Sequence, residues 1–202
     1  VNVARLFTLV FGLGAALWQA NVARDEARRA DSERAKAELQ LARAQKVKDF
    51  LLTLFREQDP FSRAKAQGRK PSEMIAEGVK QVDASMGADP GLQAELRRDL
   101  GEIQLSMGDR AAAVVTLKHA WEQQIQLSGE DSAASATAQA LYASALLQSG
   151  DAKQAEPLLR GALDRLRASL GPDHLRTVDA EIALARLELM IGHDDESLKL
   201  LQ

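Results

Sequence analysis

TAQALYASALLQSGDAKQAEPLLRGALDRLRASLGPDHL, residues 137–175, decides how this chain folds. Its first part places apolar residues at helical spacing and stops at Gly150, a residue suited to closing a helix C-terminus. Asp151 then offers a side-chain oxygen to cap a second helix, which stops in turn at Gly171. Pro157 falls early in that second helix, where a missing N–H costs less than at the centre. Both corners of this two-helix unit recur. Gly108, Gly150 and Gly192 are spaced by 42 residues, as are Gly87, Gly129 and Gly171, and Asp89, Asp131 and Asp173. Leu105, Leu147 and Leu189 precede the first glycine series; Ala113, Ala155 and Ser197, then Leu117, Leu159 and Leu201, then Ala120 and Ala162 follow it in register. One period shared by glycines, small residues and leucines marks stacked units, each burying a face that it cannot bury alone.

The repeat also decides what SLGPDHL, residues 169–175, means. An Asp beside a His after Gly-Pro suggests chemistry in isolation. Within the repeat it is a corner, with Asp173 the expected N-cap of a helix starting near His174, and GED at 129–131 is a corner of the same kind. His119 and His193 have no matching ligand set by spacing, and His193 with Asp194 and Asp195 falls at the turn after Gly192. GxSxG, HExxH and Walker patterns do not occur. The chain is therefore read as non-enzymatic, with no catalytic, cofactor-binding or metal site.

Composition agrees. Aromatics are 4% while hydrophobic residues are 46%, and Ala and Leu supply most of the apolar content, which favours closely packed helices over sheets. A formal charge of −3 gives no reason to expect nucleic acid as a partner. With no cysteine, disulfides, zinc–thiolate sites and thiol nucleophiles are excluded.

The pattern resembles the tetratricopeptide repeat. Gly101, Ala143 and Ala185 match its first-helix small position; Ala113, Ala155 and Ser197 match the second-helix one, and Ala120 and Ala162 the later one. The 42-residue step exceeds the usual ~34, as in the longer-helix version found in kinesin light chains. LGPDHLRT is similar to that version's inter-repeat signature, with Leu175 where a Pro is usual. The resemblance implies an all-α array of helical hairpins, an α-solenoid, whose first helices line a groove. In its register the groove positions are Glu95, Arg98 and Glu102, then Thr137, Ser144 and Gln148, then Asp179, Arg186 and Met190. Mixed charge with hydroxyl and amide groups suits an extended protein or peptide ligand, and no run of lysines and asparagines suggests a clamp for a terminal carboxylate.

Ahead of the repeats, LFTLVFGLGAALW (6–18) is apolar without interruption, and extension to Ala23 with Trp18 as an interfacial anchor predicts a transmembrane helix over 1–23 and a single-pass membrane protein. The side of the repeats is open: a kinase arrangement puts them outside the cytoplasm, whereas Arg24, Arg28, Arg29, Arg34 and Lys36 favour the inside. Residues 24–58 read as a charged stalk helix running into the first array helix. Ala23, Ala27, Ala30, Arg34, Ala37, Leu41 and Ala44 recur at steps of four and three; an alanine seam with an arginine in it buries little area and reads as a solvated single stalk, with a homodimer through that seam as the alternative. Residues 59–71 are a basic loop, after which Ser72 is expected to cap a degenerate unit over 72–89, with units at 90–131, 132–173 and a truncated 174–202.

The order of these segments, and above all KVKDFLLTLFREQDP (46–60) and PSEMIAEGVKQV (71–82), is similar to the non-kinase half of a group of bacterial transmembrane serine/threonine protein kinases. That resemblance implies a sensor and interaction region whose kinase domain lies upstream. The kinase motifs themselves, a Gly-rich loop with a strand lysine, HRD and DFG, do not occur here. A scaffold or adaptor without a kinase, and the sensor part of a transcription regulator, are the competing expectations. A start at Val1 and an end inside the helical pattern ESLKLLQ read as a piece of a longer protein.

Overall fold

The computed structural model describes residues 2–56, 70–85 and 89–200, and every element among them is a helix. The chain divides into two compact units, Val1–Thr53 and Leu54–Gln202.

The first unit consists of α1 (Asn2–Arg56), a single helix whose last residues belong to the second unit. Ala, Arg and Glu are strong helix formers, and the stretch from residue 15 onward has no Gly or Pro to interrupt it. Arg28 approaches Asp25 at 3.8 Å on this surface. Residues 24–42 are exposed throughout, Leu41 by 61%. Among the described residues no helix is long and apolar enough to cross a membrane. The transmembrane segment expected at 1–23 and the single-pass localisation are corrected accordingly. The uninterrupted apolar run is the thirteen residues 6–18, against the ~20 a span requires. Gln19 and Asn21, both exposed, follow it at once. There is also no break where the stalk was expected to begin, because nothing in residues 19–30 stops a helix.

The second unit opens with α2 (Pro71–Ser85), followed by hairpins α3 (Pro90–Ser106) with α4 (Arg110–Ser128), and α5 (Ala133–Gln148) with α6 (Ala152–Leu170). It ends on α7 (Leu175–Ile191) and the short α8 (Asp194–Leu200). Ser72 lies inside α2 rather than capping it, because Pro71 starts the helix and the Lys70 carbonyl accepts its first hydrogen bonds. Most of the 59–71 loop, and Gly87, lie outside the described residues. Each later helix packs on its sequence neighbours, and α3, α5 and α7 also touch one another, so the first helices of the hairpins form one layer.

The caps follow the repeat. The Asp109 and Asp151 side chains accept from the Ala112 and Gln154 amides. Gly150 takes φ +92, a left-handed conformation that other residues adopt only with strain, so the chain can leave α5 and enter α6. At the SLGPDHL corner the cap is His174, not Asp173. Its Nδ1 accepts from the Arg176 amide at 3.2 Å, because the helix starts one residue later than expected.

Between the layers the small and leucine positions close the core. Ala113, Ala143, Ala155, Ala162, Leu117, Leu159 and Leu166 are essentially inaccessible. Gly101 shows why small residues are needed, since a Cβ there would lie 2.7 Å from Leu117 Cγ. Trp121 and Tyr142 stack across α4 and α5 with centroids 5.7 Å apart. Leu189 departs from its register, at 53% exposed where Leu105 and Leu147 are buried. Among the described residues the seven-residue α8 follows α7.

Candidate functional site

The layer of first helices places polar side chains along one face. Spacing of three and four puts Glu95, Arg98 and Glu102 on one side of α3. Arg98 donates twice to Asp99 Oδ1, at 3.0 and 2.7 Å. Glu102 accepts a two-pronged bond from Arg176 of α7, Nη1 to Oε1 at 3.2 Å and Nη2 to Oε2 at 3.3 Å. These partners are 74 residues apart, on helices that flank α5 in the layer of first helices, and on α5 Ala140 and Ser144 are small. Arg176 also lies 3.7 Å from Asp179 Oδ2. Burial alone would lower the Arg176 value. The hydrogen bond and charge of Glu102, with Asp179 and Asp99, outweigh it and hold the guanidinium above the ordinary arginine range.

Beside this ion pair a depression of about 270 Å³ opens between α5 and α7, lined by Ser144, Leu147, Gln148, Asp179, Ile182 and Arg186 among others. A smaller one, lined by Thr137, Ala140, Leu141 and Ser144 from α5 and by Arg176, Asp179 and Ala180 from α7, adjoins it. The structure thus draws together five of the expected groove residues, Thr137, Ser144, Gln148, Asp179 and Arg186, and links Glu102 to them through Arg176. Glu95 is exposed on the same face of α3, and Arg98 is half-buried against Asp99. Met190 is 65% exposed and does not line either depression. Thr137 is almost fully buried and its hydroxyl donates to the Ala133 carbonyl, while the Ser144 hydroxyl donates to the Ala140 carbonyl. These two therefore offer a ligand an acceptor lone pair and little else.

Arg176 is the groove residue that sequence reasoning missed. Its position one turn before Asp179 was the available signal, but its reach to α3 depends on how three helices stack. A second cluster was also missed. Glu188 is fully buried near the end of α7, and Arg160 Nη2 donates to its Oε1 at 2.5 Å while His193 Nδ1 meets its Oε2 at 3.0 Å. Arg160 further holds Glu156 at 3.2 Å and approaches Glu196 at 3.9 Å. Burial would lower its value too, yet the Glu156 hydrogen bond and the charges of Glu188, Glu156 and Glu196 raise it. Glu188, His193 and Glu196 stand close enough to share a cation, whereas Asp194 and Asp195, the neighbours that drew attention to His193 in the sequence, are not in that group. Arg160 already supplies the positive charge there, so the cluster reads as a polar lock joining α6, α7 and α8.

Residues 134–202 match the tetratricopeptide repeat family. None of the curated proteins matches the chain. Among solved structures it is similar to BtubC (BKLC) from P. vanneervenii, with 16% identity and a TM-score of 0.58, over 84% of this chain and 65% of that one. The chain thus spans under two thirds of that protein, and the likeness is one of fold. Caps, period and close-packed small positions accord with that family match over residues 134–202, and tetratricopeptide repeats generally mediate protein–protein interaction.

Proposed function

We propose that the face formed by α3, α5 and α7 binds an extended segment of a protein partner, and that the chain is the interaction part of its parent protein. The observation that carries this is the depression between α5 and α7, which gathers Ser144, Gln148, Asp179 and Arg186 around an apolar floor of Leu147 and Ile182. Pockets of a few hundred Å³ with a few convergent polar groups suit a side chain of a bound segment. A photo-crosslinking side chain at Gln148 tests it, with the same group at exposed Lys118 of α4 as control. Partner capture from position 148, lost when Ser144→Trp fills the depression, is the expected result. Equal capture from both positions would contradict it.

The finer reading is that this parent is a serine/threonine protein kinase and the chain its non-catalytic sensor. Its support is the resemblance of the DFLLTLF…DP block, residues 49–60. A reading frame upstream of Val1 that encodes no strand lysine, HRD and DFG in order would sink it and leave the adaptor or transcription-regulator readings. Exposed Leu41 within the alanine seam of α1 favours a second copy of the chain as an additional partner. Sedimentation giving a monomer at high concentration would remove that part.

A further inference from the structure

The Glu102–Arg176 pair has features that a purely structural bridge does not require. It joins two helices that are not sequence neighbours, it lies on the proposed binding face, and its side chains are 43% and 28% exposed. A pair this wet exchanges readily with any competing charge. Its surroundings are also unbalanced. Asp99, Glu102 and Asp179 bring three carboxylates to the place where Arg98 and Arg176 bring two guanidinia, and Glu95 extends the acidic side along α3. Arg186 is set apart at the larger depression, with no ion pair to a described residue.

Resting on the groove reading above, we propose that the acidic stretch formed by Asp99, Glu102 and Asp179 receives a lysine or arginine of the bound segment, and that Arg176 is a displaceable strap occupying that place until the partner arrives. Arg176 spans the groove over the small residues Ala140 and Ser144. A ligand guanidinium or ammonium seated on Glu102 would release it to Asp179, which already lies within reach at 3.7 Å. The strap therefore opposes weak or uncharged segments and yields to basic ones.

The test is selection of a random twelve-residue phage-displayed peptide library on the full chain, followed by affinity measurement of the recovered peptides on variants. The expected outcome is enrichment in Lys and Arg. Glu102→Gln should then weaken binding by about ten-fold, while Arg176→Gln, which frees the acids, should tighten it by about two- to five-fold. Recovered peptides that are acidic, or that bind Arg176→Gln more weakly, overturn the strap while leaving the groove in place. Peptides indifferent to Ser144→Trp, or no recovered peptides, overturn the groove reading and the strap with it. Helical circular dichroism is the fold control, and Gln148→Trp at the exposed rim is the second plug if Ser144→Trp does not fold.

Discussion

Leu146 and Glu188 occupy the same place in successive hairpins, 42 residues apart, near the ends of α5 and α7. Both are buried, Leu146 within the main apolar cluster and Glu188 completely. The middle hairpin fills the position with a hydrocarbon side chain. The last hairpin fills it with a carboxylate held by Arg160 and His193. The partners have register equivalents as well: Lys118 stands where Arg160 does, and Asp151, the α6 cap, stands where His193 does. At His193 the cap position has exchanged its usual acid for a ring that turns back onto Glu188. What the repeat specifies is therefore a buried volume at this register, and the chemistry that fills it can change if its neighbours change together.

That comparison can be broken most severely in the middle hairpin. Leu146→Glu would bury a carboxylate beside Lys118, which is half exposed and engaged with Glu122 at 3.8 Å. We expect a loss of about 4 kcal/mol in urea unfolding, the cost of an uncompensated buried charge. Arg160→Met removes the main cation from Glu188 while keeping bulk, and should cost about 3 kcal/mol. Next comes the cap: Asp151→Ala, which strands the Gln154 amide, should cost about 1 kcal/mol by the same measurement. The smallest effect is the most informative. Glu188→Leu imports the middle hairpin's solution, and replacing a paired buried charge by a packed apolar group is often neutral or slightly stabilising. A loss of about 3 kcal/mol or more would mean that the polar lock does more than fill space.

The raised arginine values fix the sign of one pH effect. Groups whose folded values lie above the ordinary range contribute fully below it and lose that contribution only in strong alkali. Arg160 and Arg176 thus stay charged throughout the range in which the protein can be handled, and only substitution removes them.

Helix corners, small close-packing positions and most of the groove were legible in the sequence because each is a local rule repeated at a fixed step. Asp151 and Gly150 show it, and so does the convergence of Thr137, Ser144 and Asp179. Errors arose where one residue's shift changes the outcome, as at His174 against Asp173, or where a helix continued through an expected boundary, as α1 does past residue 23. The membrane span expected over 1–23 fails because its uninterrupted apolar run, 6–18, is several residues short of one. Glu188 and Arg176 were illegible for a different reason. Their partners lie 28 and 74 residues away, and helical periodicity says which face a side chain occupies without saying what crosses over from another helix.

The central claim is that a partner segment lies along α3, α5 and α7. Its most direct test is chemical-shift mapping of the isotope-labelled chain on titration with a library-selected peptide. Shifts concentrated at Glu102, Ser144, Gln148, Asp179 and Arg186, with α4 and α6 silent, are predicted. Shifts confined to α4 and α6, or to α1, would contradict it.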